Sequence, residues 1–231
     1  MNSRFEPGLV QALLFDIDGT LADSDNDVVQ LVAGLLTPVA RLFSQLDPPI
    51  AARRLVMAAE GPMNAAYVLA DRLALDELAA LLAARLPRRR IPHKPVNLIA
   101  GVRPMLIRAR RRFSLAIVTA RGERAALRFL QAAELEGLFD VIITNHSTWQ
   151  GKPHPAPVLL AASSLAVQPK ACLMIGDTTL DVRAGIAAGA QSVGVLCGFG
   201  QRGELVRAGA HLILDSTADL LDHLNDSMPC L

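Results

Sequence analysis

Six short apolar runs punctuate the chain, at 12–15, 115–118, 141–143, 171–175, 192–196 and 212–214. Their apolarity is continuous rather than alternating, which is the pattern of strands covered on both faces. Between the later runs, apolar residues recur at helical spacing over 121–133, 156–165 and 180–188. Strand and helix in alternation predict an α/β fold, a Rossmann-like parallel sheet with right-handed crossovers.

Residues 25–90 interrupt that alternation. Val28, Leu31, Val32, Leu35, Leu36 and Val39 fall on one helical face, with Asp27 placed as a cap. Further helical stretches are expected at 49–59, 63–73 and 76–85, separated by Pro48-Pro49, Gly61-Pro62 and Pro87. No strand pattern occurs there. The expected organisation is therefore an α/β core from 1–24 and 91–231 with an all-helical cap, 25–90, inserted after the first strand. Pro92 and Pro95 mark the return linker.

Composition adds limits. Of the 231 residues, 52% are hydrophobic and 19% charged, an ordinary globular balance. A net charge of +1 gives no general attraction to nucleic acid or to an acidic membrane. Two basic runs, Arg88-Arg89-Arg90 and 108–112, lack interleaved aromatic residues and read as solvated helix faces or loops. Cys172, Cys197 and Cys230 form no C-x-x-C pair, so neither a disulfide framework nor a zinc site is expected. Cys172 and Cys197 sit in apolar runs as core residues. No run approaches the ~18 apolar residues of a membrane span, and 1–10 carry no long apolar stretch. A cytoplasmic protein is expected.

The polar residues at the strand ends carry the chemistry. Asp16-Ile17-Asp18-Gly19-Thr20 closes the first run. Alternation along extended chain sends Asp16 and Asp18 the same way, and two carboxylates together call for a cation or a shared proton. Thr119 ends the second run, and its hydroxyl with the following backbone N–H of Ala120 makes a phosphate cradle at a helix start. Lys152, between Gly151 and Pro153, places a positive charge at a helix N-terminus, where the dipole disfavours it, so it answers an anion. Gly176-Asp177-Thr178-Thr179-Leu180-Asp181 follows the fourth run, with Asp181 one helical turn beyond Asp177. Carboxylate oxygens of Asp16 and Asp177 suit Mg²⁺, which also takes substrate phosphate. Together these residues predict a phosphoryl-transfer site: Asp16 attacks, Mg²⁺ neutralises charge, and Thr119 and Lys152 bind the equatorial oxygens.

In these four motifs the sequence resembles the haloacid dehalogenase superfamily of phosphohydrolases. It is similar to the branch with a helical cap between motifs one and two, which includes phosphoglycolate phosphatases. The resemblance rests on 15–21, Lys152-Pro153, Gly176-Asp177-Thr178 with Asp181, and Ala184-Gly185, and it spans nearly the whole chain. It extends to 198–210 and 211–215. The resemblance implies that Asp16 forms an aspartyl-phosphate and that Asp18 protonates the leaving oxygen and then activates water. It also implies Mg²⁺ held by Asp16, Asp177 and the main-chain carbonyl of Asp18, with Asp181 in support. The substrate class implied is a small phosphorylated metabolite. One departure stands out: close relatives often carry Asn and Lys where this chain has Ala120 and Arg121. A dehalogenase or phosphonatase would lack Asp18. A sugar phosphomutase keeps it and stays compatible with the core motifs. A receiver-like signalling domain shares the strand-end residues but is about half this length and has no inserted cap.

Overall fold

The computed structural model of the chain describes residues 5–23, 34–37, 48, 52 and 97–225. Each expected strand forms: β1 (Ala12–Phe15), β2 (Ser114–Val118), β3 (Val141–Ile143), β4 (Cys172–Gly176), β5 (Gln191–Val195) and β6 (Leu212–Leu214). They make one sheet in the order β3-β2-β1-β4-β5-β6, with every pairing parallel. β1 is central. Phe15 pairs with Ile117 on one side and with Ile175 on the other.

The continuous apolar runs are explained by two cores, one on each face. Successive side chains of a strand point to opposite faces. Leu13, Phe15, Leu115, Ile117, Leu173 and Ile175 accordingly pack into one cluster, and Ala12, Leu14, Ala116, Val118, Cys172 and Met174 into the other. Helices α1 (Val102–Ala109) and α2 (Glu123–Ala132) cover the first face; α3 (Ala156–Ser164) and α4 (Thr179–Ala187) cover the second. Each fully buried Leu or Phe here contributes roughly 1.5–3 kcal/mol. α5 (Arg202–Ala208) packs on α4 through Leu205 and Val182, and α6 (Leu220–Asn225) joins the first face through Leu220, Leu221 and Leu224.

Helix α1 coincides with part of the basic run at 108–112. Val102, Met105, Leu106 and Ala109 are its buried residues, so the run is the polar edge of an amphipathic helix and its exit. Arg110 forks onto Asp140 at 3.0 and 2.5 Å, and Arg112 lies over the Phe113 ring. Among the described residues no helix is long and apolar enough to cross a membrane.

The strand order reverses direction about β1. From β1 the chain moves outward through β2 to β3, then crosses to β4 and moves outward the other way. That reversal leaves a crevice at the carboxyl ends of β1, β2 and β4. At the same edge the chain leaves and re-enters the core. Ala22 forms an antiparallel bridge with Leu98; Asp23 N–H donates to Asn97 at 2.8 Å and Ile99 N–H to Leu21 at 3.0 Å. The expected cap, 25–90, lies outside the described residues apart from positions 34–37, 48 and 52. So do the run Arg88-Arg89-Arg90 and Cys230.

Candidate active site

Asp16 follows the last residue of β1 and continues its ladder, donating its N–H to Ile175 at 3.0 Å. The turn after it is closed by Leu21 and Ala22 N–H groups on the Ile17 carbonyl, both at 2.9 Å, with Gly19 at φ +66°. Asp16 is 5% exposed and Asp177 fully buried. The crevice thus holds its carboxylates out of water.

Lys152 reaches the same place from the turn before α3. Its ammonium contacts Val118 O at 3.1 Å, Asp16 Oδ1 at 3.0 Å and Asp181 Oδ1 at 2.5 Å. Val118 O and Asp181 Oδ1 accept its hydrogen bonds, while Asp16 faces it as an ion pair. Lys152 lies in the turn before α3, which begins at Ala156 as the apolar spacing predicts; in that turn Ala156 N–H donates to the His154 ring. What Lys152 answers is the carboxylate pair rather than a helix end.

Asp181 sits one turn into α4 and is doubly committed. Its Oδ2 accepts from Thr178 N–H at 3.1 Å and Thr178 Oγ1 at 2.7 Å, the return half of a capping box. Its Oδ1 carries Lys152. Asp177 is held differently: Oδ2 accepts from the Phe199 N–H at 2.7 Å, and Thr20 Oγ1 lies 3.5 Å from Oδ1. The Thr20 carbonyl in turn accepts from Thr217 Oγ1 at 2.7 Å.

Burial pushes the Asp16 carboxyl up to about 7; Lys152 pulls it back, while Asp181 and Asp18 push it up further. Burial also works against the charge on Lys152, but Asp16 and Asp181 outweigh it and hold the ammonium above its ordinary range. Lys152 is therefore charged, and Asp16 lies near balance until a second cation arrives.

The residues fit such a cation. Asp16, Asp177 and Asp181 present carboxylate oxygens all within 4.8 Å of one another. Asp16 Oδ1 is buried and accepts no hydrogen bond, although the Lys152 ammonium stands 3.0 Å from it as an ion pair. Hard oxygen ligands of this kind suit Mg²⁺. Asp181, with both oxygens bonded, is the member least able to ligate directly.

Thr119 ends β2, 5% exposed, its N–H on Ile143 O at 2.9 Å. It does not cap the helix: Gly122 stands at the N-cap of α2. Thr119 Oγ1 instead accepts from Arg121 N–H at 3.2 Å, with Ala120 in the bend between. Asp18 is drawn to Arg121, which donates from Nε at 2.7 Å and from Nη2 at 2.5 Å. His146 and His154 are exposed.

Sequence reasoning brought together Asp16, Lys152, Asp177 and Asp181 but did not anticipate Arg121 on Asp18, or Thr20 and Phe199 on Asp177. The legible signal for Phe199 was the glycine density of Gly198-Phe199-Gly200. A Cβ added at Gly198 would stand 2.2 Å from Asp177 Oδ2 and 2.5 Å from Gly19 O. Backbone and carboxylate both have to move to admit it. Gly198→Ala is therefore expected to weaken Mg²⁺ binding by roughly 10- to 100-fold, the usual effect of disturbing a ligand's outer contacts. Calorimetric titration of Mg²⁺ into both proteins checks this; equal affinities would show that 198 does not set Asp177.

The sequence model of the haloacid dehalogenase-like hydrolases matches residues 13–195. The probable phosphatase IndB of Dickeya dadantii is 26% identical over 216 residues, covering 90% of this chain and 91% of its own. A phosphoglycolate phosphatase of Pseudomonas putida is 30% identical over 227 residues, covering 93% of this chain and 80% of its own. Among solved structures, a hydrolase from Pseudomonas syringae superposes with a TM-score of 0.67 at 26% identity, over 95% of this chain and 100% of that one. With the family match running from β1 to the end of β5, this chain belongs to the haloacid dehalogenase-like hydrolases.

Proposed function

We propose that this protein is a magnesium-dependent phosphohydrolase that cleaves a small phosphorylated metabolite through an aspartyl-phosphate on Asp16. The observation that carries this reading is the buried Asp16 carboxylate, with one oxygen lacking a directed hydrogen bond, beside buried Lys152 and Asp177. A nucleophile needs an uncommitted lone pair and a neighbouring positive charge.

In the first step an Asp16 oxygen attacks phosphorus, the bond to the leaving oxygen breaks, and Asp18 gives that oxygen its proton. In the second, Asp18 takes a proton from water, the water oxygen attacks phosphorus, and Asp16 leaves as carboxylate. Thr119, the Ala120 N–H and Lys152 take the phosphate's equatorial oxygens, Lys152 sharing the ammonium it holds on Asp16. Asp16, Asp177 and the Asp18 carbonyl would hold magnesium, which would supply positive charge against phosphate and nucleophile. Asp181 fixes Lys152 and, through the Thr178 cap, the start of α4.

Relatives named phosphoglycolate phosphatase, at 27% and 30% identity, support a phosphoglycolate-phosphatase-like activity as the finer reading. Residues 25–90 serve as a cap over the crevice, a reading supported by the chain leaving at Asp23 and returning at Asn97 on the site's own edge. A structure with 25–90 packed at the opposite edge of the sheet would overturn it.

The test is chemical. Phosphate release from phosphomonoesters is expected with Mg²⁺, lost in EDTA and restored by added Mg²⁺. Borohydride quenching during turnover should convert Asp16, and no other residue, to homoserine, as mapped by mass spectrometry. Turnover with position 16 unmodified would remove the aspartyl-phosphate from the mechanism.

A further inference from the structure

The pair between Asp18 and Arg121 works against the chemistry just described. Arg121 Nε donates to Asp18 Oδ2 at 2.7 Å and Nη2 to Oδ1 at 2.5 Å, a fork that commits both carboxylate oxygens. A proton carrier has to turn one oxygen toward the leaving group. The pair must therefore open in each cycle, and an anion that takes the vacated fork makes up for the lost contact.

Arg121 is built to receive one. Its backbone N–H is fixed on Thr119 Oγ1 at 3.2 Å, and its carbonyl accepts from Asn145 N–H at 3.2 Å. Its guanidinium lies over the Phe129 ring, 5.0 Å from the centroid. Main chain and guanidinium face are thus anchored beside the phosphate cradle. The pair nonetheless faces solvent: the Arg121 side chain is 24% exposed and that of Asp18 39%. Asp18 itself shows that the fork accepts a carboxylate in this setting. Because Asp18 is the group assigned to the leaving oxygen, a carboxylate one or two carbons beyond that oxygen comes within reach of the same fork.

We propose that Arg121 is a specificity-determining residue that binds a carboxylate of the substrate, so that the favoured substrates are short phosphomonoesters of hydroxy acids. The incoming carboxylate replaces Asp18 on the guanidinium, and Asp18 is released to the leaving oxygen as the substrate seats. A neutral substrate leaves the fork on Asp18. The inference rests on the phosphatase reading for what Asp18 does, and on the geometry for what Arg121 binds.

The experiment compares 2-phosphoglycolate with its primary amide, using the full chain with Mg²⁺, in the wild type, Arg121→Gln and Arg121→Lys. In parallel, calorimetry measures the affinity of 3-phosphonopropanoate and its amide, in which a methylene replaces the ester oxygen. The wild type is expected to favour acid over amide by at least about tenfold in both kcat/KM and affinity. Arg121→Gln should reduce that ratio by about 10- to 100-fold, and Arg121→Lys should restore part of it as a point charge without the fork. A wild-type protein with no preference for the acid phosphonate overturns the proposal, as does an acid-to-amide ratio unchanged in Arg121→Gln. If neither ester is hydrolysed while the phosphonate preference appears and depends on Arg121, the phosphatase reading fails and the carboxylate site stands.

Discussion

Asp16→Asn is expected to lower turnover by about 10⁴-fold or more while raising the melting temperature of the metal-free protein. The two effects have one cause. In the fold Asp16 is buried, and burial pushes its carboxyl from 3.8 up to about 7. A group with a raised folded pKa favours folding when protonated; that contribution is complete below about pH 4 and is lost as pH climbs through about 7. Near pH 8 the metal-free wild type therefore carries a buried charge costing roughly 4 kcal/mol at full ionisation, with the attraction of Lys152 already counted. Asn removes the charge and keeps the shape. With roughly 2–4 °C per kcal/mol for a chain of this size, a rise of about 10 °C is expected at pH 8 in EDTA, shrinking toward pH 5. Mg²⁺ should stabilise the wild type strongly and the variant weakly. Differential scanning calorimetry at the two pH values, with and without metal, measures all of this. A variant that melts lower than wild type at pH 8 in EDTA would show that Asp16 is not held there against its charge.

Asp18→Asn is expected to fail in a different way. The proposed carboxylate acts twice, as acid for the leaving oxygen and as base for water, and such contributions are typically ~10²- to 10⁴-fold. p-Nitrophenolate leaves without needing a proton. Rapid-quench kinetics with p-nitrophenyl phosphate should therefore show a burst approaching one nitrophenol per site, then slow turnover, with phosphate retained on the protein. An alkyl phosphate should show no burst, because its leaving oxygen still needs the missing proton. Steady-state rates equal to wild type on both substrates would remove Asp18 from acid–base duty.

The position of the reactive edge was legible in the order of residues, whereas the acid–base duty of Asp18 came only from the resemblance to the family. A parallel sheet buried on both faces writes continuous apolar runs, and the first polar residue after each run stands at the active edge. Asp16, Thr119 and Asp177 follow from that rule alone, and Asp181 from one turn of helix. The tertiary partners were not legible. Nothing local tells that Arg121 turns back to Asp18, 103 positions away in sequence, or that the Phe199 N–H closes on Asp177 across 22. Such contacts depend on how loops from different strands meet. Thr119 was expected at a helix start, but Gly122 stands at the N-cap and the Thr119 hydroxyl accepts from the Arg121 N–H instead. Helix α1 was hidden for another reason: five consecutive residues at its end, 108–112, are Arg except Ala109, and their charge masked the buried stripe of Val102, Met105, Leu106 and Ala109.

The antiparallel stitch of Ala22 to Leu98 has a kinetic consequence. It pins together two points between which 75 residues intervene, and closing a chain of that length costs roughly 4 kcal/mol of chain entropy, about 2.5 more than a tight turn. β1 must pay that toll before it can lie beside β2, although the two are neighbours in the sheet. β4, α4 and β5 meet through short connections and face no such delay. The carboxyl-terminal half should nucleate, and the strand that carries Asp16 should be the late arrival that completes both the sheet and the reactive crevice.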